Sequence, residues 1–152
     1  MDHNISKHIS GNFNQELENV RNHVLAMGGL VEQQLNSALD AVNDSNAELA
    51  KKVEHGDYKV NAMEVSIDEE CTRIIAKRQP AASDLRMVLA VSRIVRDLER
   101  MGDEATKIAQ MGIKLAEEGA SPIGYAECRS IAAGVQAMSA NARDGFARYD
   151  SN

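Results

Sequence analysis

The sequence predicts an all-α protein: an antiparallel three-helix bundle of long helices, followed by a fourth helix. The composition is aliphatic, with no Trp, 3% aromatic residues and two prolines, and this composition favours helix over sheet. Apolar residues recur in steps of three and four along most of the chain, which is the spacing of one helix face. Short polar turns interrupt the pattern, and short turns make neighbouring helices antiparallel.

The first helix is predicted from about residue 12, after a polar leader over residues 1–11. Its apolar face is formed by Leu17, Val20, Val24, Met27, Val31, Leu35, Ala38 and Val42. The pair Gly28-Gly29 interrupts this helix, and either bends it or lets a neighbouring helix approach closely. Residues 43–46 have turn chemistry, and Asn46 is a candidate cap for the next helix.

The second and third helices are separated by Pro80, which disfavours helix at the residue before it. The apolar face of the second helix is formed by Leu49, Val53, Gly56, Val60, Met63, Ile67, Cys71 and Ile74. The third helix starts near Ser83 and stops at Gly119, a residue suited to a helix C-terminus. Its apolar face is formed by Val88, Val91, Val95, Leu98, Gly102, Ala105, Ala109 and Gly112.

The fourth helix is predicted to start at Ser121-Pro122, because Pro suits a first helical turn. It runs to the end of the sequence, and it is a weaker amphipath in which small residues stand where large ones are expected. Its expected apolar face is formed by Ile131, Val135, Met138, Ala142 and Phe146.

Charge and composition exclude several classes of partner. The formal net charge is -6 and the pI is near 5.2, whereas a nucleic-acid-binding protein is expected to carry a basic face. No apolar run approaches the ~20 residues of a membrane span, and the N-terminus has no apolar signal core. A cytoplasmic location is therefore expected, with Cys71 and Cys128 as reduced, packed thiols.

Two acidic stripes are the candidate site. Glu99 and Asp103 are four residues apart on the third helix, so both project from one face. On the second helix the oxygen donors stand at steps of four, three and four, at Asp57, Asn61, Glu64 and Asp68. If the two helices are antiparallel, the stripes face each other across a groove. Carboxylate and amide oxygens suit hard cations.

A solvated salt-bridge face explains the same acidic residues without a metal. Arg96 stands three residues before Glu99, and Asp103 stands four before Lys107. Opposite charges at these spacings pair along a helix surface. Gly102, between the two carboxylates, leaves room for either a close helix or a bound ion. The spacing alone leaves both interpretations open.

Several segments together resemble the PhoU family. The string over residues 97–103, DLERMGD, is similar to the family's acidic signature, and residues 76–86, AKRQPAASDLR, resemble its connection between the second and third helices. Residues 7–11 and 27–35 are also similar to bacterial members. The resemblance runs without a gap from about residue 7 to residue 115.

The resemblance implies an organisation in repeats of three helices. The expected division is an N-terminal leader over residues 1–11, one complete repeat over 12–118, and the first helix of a truncated second repeat over 119–152. This chain would then carry one of the family's two signatures. Its fourth helix is expected to pack on the first repeat, or to exchange between chains in a homodimer.

The resemblance also implies site residues and a cofactor. Glu99 and Asp103 match the signature carboxylates, Asp57 matches an acidic position of the second helix, and Asn61 stands where many members have a second Asp. The cofactor implied is a divalent or iron-type metal, namely Mg, Mn, Zn or Fe. No catalytic residue is expected, and the partner-binding residues are not identified.

By the same resemblance, the protein is expected to be a regulatory adaptor that is not an enzyme. It would negatively regulate phosphate uptake and phosphate-starvation signalling by binding the phosphate ABC transporter and its sensor histidine kinase, and it would reach the membrane only indirectly. Two alternatives remain: a metal-dependent carboxylate enzyme built on a helical bundle, and a helical oligomerisation module.

Overall fold

Four long helices make up the fold, as the sequence predicts. The computed structural model describes the backbone of residues 2–119 and 122–150, and the side chains of residues 11–119, 126–141, 143 and 144. The helices are α1 (Asp2–Asn43), α2 (Ala47–Arg78), α3 (Ala82–Glu118) and α4 (Pro122–Asp150). Described residues contain no strand, so the all-α class is confirmed.

The polar leader is part of the first helix. Helix α1 begins at Asp2, whereas the apolar spacing predicts a start near residue 12. The reason is that apolar periodicity reports only the part of a helix that packs on a core, and a polar segment without proline can extend a helix beyond it. The proposed division of the chain into leader, repeat and partial repeat stays a prediction.

The helix ends follow the local chemistry of the sequence. The Asn46 side chain accepts a hydrogen bond from the backbone N–H of Leu49 at 3.1 Å, and so caps α2. Gln79 closes α2 in the left-handed conformation (φ 45°) directly before Pro80. Gly119 closes α3 in the same way (φ 63°), where a glycine carries no Cβ penalty.

Helices α1 and α3 form the central pair. Each packs against the other three helices, whereas α2 and α4 lie on opposite sides and make no contact with one another in the described part of the chain. Helix α2 is antiparallel to α1, since Arg78 meets Glu16 at one end and Gln34 meets the carbonyl oxygen of Val53 further along. Helix α4 packs on α1 and α3, which is one of the two arrangements expected for it.

All four helices contribute to the core, and the apolar stripes predicted for α1 and α3 lie within it. All eight residues predicted for α1 and all eight predicted for α3 are buried. The positions missed on α3 are Met101 and Ile108, which are also buried. They lie on the side of the helix that α4 covers, so a single stripe per helix does not capture them.

Three glycines bring the helices together, and they are not the pair in α1. A Cβ at Gly102 would lie 3.1 Å from Val60 Cγ1, and one at Gly112 would lie 2.9 Å from Val42 Cγ2. A Cβ at Gly56 would meet the Gln34 side chain at 2.9 Å. At Gly28 and Gly29 no described atom lies within 4 Å of such a Cβ. Gly102 therefore admits a close helix, which was one of its two predicted roles.

Among the described side chains, helix α4 buries a stripe that shares only Val135 with the predicted one. The buried residues are Cys128, Ala132, Val135 and Ser139, whereas Ile131 and Met138 are 44% and 58% exposed. Small side chains let α4 lie close against α3 and α1, and this rotates the larger residues out of the contact. Ala142 and Phe146, also predicted for this face, lie outside the described side chains.

None of the helices in the described part of the chain combines the length and the apolar character that a membrane span needs.

Candidate functional site

The candidate site lies along the contact between α2 and α3. Gly102 packs against Val60, and further along the Ser92 hydroxyl donates to Asp68 Oδ1 at 3.4 Å. Positions rise on α2 as they fall on α3, so the two helices are antiparallel. The acidic stripes therefore face each other, as the sequence predicts.

The structure brings three of the four predicted metal residues into one electrostatic neighbourhood. Glu99, Asp103 and Asp57 are half-buried, and the negative charges of Asp103 and Asp57 both act on Glu99. Asn61 is exposed, and its amide donates to Asp57 Oδ2 at 3.5 Å. Asn61 therefore lies at the edge of the site, beside the Asp57 carboxylate.

Glu99 is the most perturbed group of the site. Burial raises its pKa from 4.5 to about 7, and a hydrogen bond between the carboxyl groups of Glu99 and Asp103 adds to the rise. The charges of Asp103, Glu64 and Asp57 act in the same direction. Like charges in one place disfavour full ionisation. Glu99 therefore keeps its proton up to about neutral pH.

Glu64 belongs to the same cluster, although it was not among the four predicted metal residues. Burial raises its pKa, and so do the charges of Asp68 and Asp103, while Arg96 lowers it. The signal for Glu64 was present, because it stands seven residues after Asp57 on the same stripe. Ser92 was not predicted to belong to the site, although it stands seven residues before Glu99 on α3.

The charged pairs along α3 leave the signature carboxylates out. Arg100 pairs with Asp97, and Lys107 Nζ lies 3.2 Å from Glu104 Oε1. None of the ion pairs among the described residues involves Glu99 or Asp103. The salt-bridge interpretation thus accounts for the outer face of α3, but not for the residues that face α2.

The donor chemistry of the site fits a hard cation, because three carboxylates surround Glu99 and repel one another. No three Asp, Glu, His or Cys side chains within the described residues converge closely enough to hold a metal ion as they stand. A bound ion would therefore require side-chain rotations of Glu99, Asp103, Asp57 and Glu64.

The fold and this site define a class of protein: a bundle of long helices with facing carboxylate stripes. A family model described as the PhoU domain matches residues 24–111. The phosphate-specific transport system accessory protein PhoU homolog of Pseudomonas aeruginosa is 55% identical over 97% of this chain. The Escherichia coli K12 protein of corresponding name is 47% identical over 97% of the chain. The chain belongs to the PhoU family.

Solved structures agree with this assignment. The crystal structure of PhoU from Pseudomonas aeruginosa matches with a TM-score of 0.83 and 56% identity, over 91% of this chain and 66% of that one. The phosphate transport system regulatory protein PhoU from Streptococcus pneumoniae matches with a TM-score of 0.68 and 28% identity, over 91% of this chain and 70% of that one. The chain spans 61% of the length of both curated relatives.

Proposed function

We propose that this chain is a regulatory adaptor of phosphate homeostasis that works by binding and not by catalysis. The observation that carries the proposal is the 55% identity, over 97% of the chain, to a phosphate-specific transport system accessory protein. The proposed partners are the cytoplasmic parts of the phosphate ABC transporter and its sensor histidine kinase. Binding would restrain phosphate uptake and phosphate-starvation signalling. The protein would act in the cytoplasm.

The helix faces supply the means of binding. Long helices present rigid surfaces, on which apolar residues give affinity and charged residues give orientation. The crowded carboxylates at the α2–α3 contact concentrate negative charge on one face of an acidic chain. We place the orienting charge there.

We also propose that this face takes a divalent or iron-type cation. Glu99, Asp103, Asp57 and Glu64 would hold it. The ion would supply positive charge that offsets the repulsion among these carboxylates. Because Glu99 must lose its proton before it can bind a cation, affinity should increase as the pH rises through 7.

A pull-down against the cytoplasmic transporter subunits and the histidine kinase tests both proposals. The wild-type chain is compared with Glu99→Gln/Asp103→Asn, with and without Mg²⁺, Mn²⁺, Zn²⁺ or Fe²⁺. We expect wild type to bind, and the variant to lose at least about tenfold in affinity, the cost of one buried charged contact. Cations should raise the melting temperature of wild type and not that of the variant.

The matched control is Glu117→Gln/Glu118→Gln, which removes the same charge from exposed residues at the end of the same helix. It should behave as wild type. A folded wild-type chain that captures neither partner would contradict the adaptor proposal. Equal melting shifts in wild type and the Glu99/Asp103 variant would refute the cation site alone.

A further inference from the structure

Helix α3 carries a row of basic residues on the side that faces away from the core. Its members stand seven residues apart and all are exposed: Arg86, Arg93, Arg100, Lys107 and Lys114. We call it the basic row. A straight helix drifts by only about 20° over seven residues, so the row stays on one side of α3 along about 42 Å. It stands out in a chain whose formal net charge is -6.

The first part of the basic row has no carboxylate partner. Among the described residues, Arg86 and Arg93 take part in no ion pair, and neither does Arg96, which stands beside the row. The Nε groups of Arg86 and Arg96 donate to the carbonyl oxygens of Ala82 and Ser92 on their own helix. The chain holds 23 Asp and Glu against 17 Lys and Arg, so carboxylates are in excess, yet these three guanidinium groups pair with none of them. They are free to pair with a partner.

A groove between α2 and α3 runs beside these arginines. Its volume is about 320 Å³, and Arg96 is among the residues that line it. Ile75 of α2 and Leu89 of α3 lie on its two sides and are 36% and 49% exposed. Exposed aliphatic side chains in a groove with a charged rim are typical of surfaces that bind an amphipathic helix.

The spacing of the basic residues selects a helix as the occupant. Arg86 and Arg93 are about 10.5 Å apart along α3, and two carboxylates seven residues apart on a partner helix have the same separation. Leu89 stands between the two arginines, so an aliphatic residue of the partner meets it midway between the two charge pairs. A helix that crosses α3 at about 20° stays in contact with such a row.

We propose that the groove between α2 and α3 binds an acidic amphipathic helix of a partner protein. Aliphatic side chains of that helix pack between Ile75 and Leu89, and its carboxylates pair with Arg86, Arg93 and Arg96. Guanidinium groups bind carboxylates through two parallel hydrogen bonds, which fixes the register of the helix. The inference rests on the proposed adaptor function, because it names the chemistry of one partner segment.

The carboxylates near the basic row disfavour a nucleic acid as the occupant. Asp97 pairs with Arg100, Glu104 pairs with Lys107, and Asp68 lines the groove on its α2 side. A nucleic-acid backbone carries charge along its whole length and would meet these carboxylates, whereas a helix can place its uncharged side against them. Asp68 thus determines which side of the partner helix faces α3.

Fluorescence anisotropy with a synthetic peptide is the first measurement. The probe is a labelled, stapled helical peptide of about 14 residues, with Leu in steps of three and four on one side and Glu seven residues apart beside it. We expect saturable binding to the full chain that weakens as salt is added. A peptide of the same composition in scrambled order should bind at least tenfold more weakly. Equal binding of the two peptides, no saturation up to about 1 mM protein, or tighter binding of a single-stranded oligonucleotide would overturn the proposal.

A charge exchange tests the arginines. Arg86→Glu/Arg93→Glu should weaken binding at least tenfold, and a peptide with Lys in place of Glu should bind this variant better than it binds wild type. Lys51→Glu/Lys52→Glu makes the same change of charge at exposed positions near the start of α2, and it should bind the acidic peptide as wild type does. Equal losses in the two variants would show unspecific attraction and refute the docking site. Circular dichroism verifies that each variant is helical.

The apolar contact has its own matched pair of variants. Leu89→Ala should weaken peptide binding at least fivefold, because it removes an aliphatic wall of the groove. Leu25→Ala removes a side chain of similar exposure, 55%, from α1 and should leave binding unchanged. Unchanged binding in Leu89→Ala would show that the helix does not occupy the groove.

The pull-down separates this inference from the adaptor function. If wild type captures the transporter subunits or the kinase, Arg86→Glu/Arg93→Glu should capture at least tenfold less. Equal capture by wild type and this variant would refute the docking site and leave the adaptor function standing. Specific binding of the acidic peptide by a chain that captures neither partner would support the groove and contradict the adaptor function.

Discussion

At the scale of single residues, the site is governed by crowded negative charge. Glu99 keeps a proton to about pH 7 because burial and three neighbouring carboxylates oppose its ionisation. The sequence predicted that Glu99 and Asp103 share a face, since their spacing fixes that. It did not predict that Glu64 lies close enough to act on both, because that depends on the register between α2 and α3.

Glu99→Gln should therefore stabilise the metal-free chain at high pH. In the unfolded state Glu99 ionises near 4.5, and in the folded state near 7, so its ionisation destabilises the fold increasingly between these values and fully above 7. Removing the charge should raise the free energy of unfolding at pH 8 by about 1–2 kcal/mol, after allowance for solvent screening.

The measurement is urea unfolding of both proteins at several pH values in the presence of a chelator. The gain should shrink towards zero as the pH approaches 4.5. Glu117→Gln, a neutralised carboxylate on the exposed end of α3, serves as the control and should show no gain of this kind. A gain for Glu99→Gln that is the same at pH 5 and pH 8 would contradict the assignment.

At the scale of helices, apolar spacing predicted the two central helices well and α4 poorly. The face of α1 was predicted residue by residue because large aliphatic side chains occupy it. On α4 the residues that pack are small, such as Ala132 and Ser139, and the large ones, Ile131 and Met138, stay exposed. Size is the signal on which the prediction depends, so among the predicted residues with described side chains only Val135 is buried.

Gly112 shows that a small residue can also be required where two helices pack closely. A Cβ there would lie 2.9 Å from Val42 Cγ2, so Gly112→Ala should destabilise the fold by about 1–3 kcal/mol through overpacking. This outweighs the roughly 1 kcal/mol that Ala gains over Gly in a helix. Gly29→Ala, with no described atom near the added carbon, should instead stabilise by about 0.5–1 kcal/mol.

Combining Gly112→Ala with Val42→Ala removes the atom that clashes. The double variant should be less destabilised than the sum of the two single variants, which a double-mutant cycle measured by urea unfolding reveals. Additive effects would mean that the contact between α1 and α3 relaxes elsewhere.

At the scale of the whole molecule, the helices are not equivalent. Helices α1 and α3 are each packed against three neighbours, whereas α2 and α4 each pack against two and lie on opposite sides. Large aliphatic residues and ion pairs hold α2, including the pair in which Arg78 contacts both carboxylate oxygens of Glu16 at 2.9 and 3.2 Å. Helix α4 is held by small residues and by the Arg143–Glu32 pair at 2.9 Å. Small buried residues contribute less apolar area, so α4 should be the least stable layer.

The two cysteines can be used to measure this difference in stability, because one lies on α2 and the other on α4. Cys71 of α2 and Cys128 of α4 are both buried, and burial raises the pKa of both thiols, that of Cys71 to about 11. Each thiol should therefore react with a disulfide reagent only after its helix opens.

In Cys71→Ala, where Cys128 is the only thiol, labelling should proceed through detachment of α4, and its rate should depend weakly on urea. In Cys128→Ala, Cys71 should be labelled only through unfolding of the central bundle, more slowly and with a steep dependence on urea, because more surface is exposed. Equal urea dependences for the two thiols would show that α4 unfolds together with the central pair, and the bundle would then be one cooperative unit.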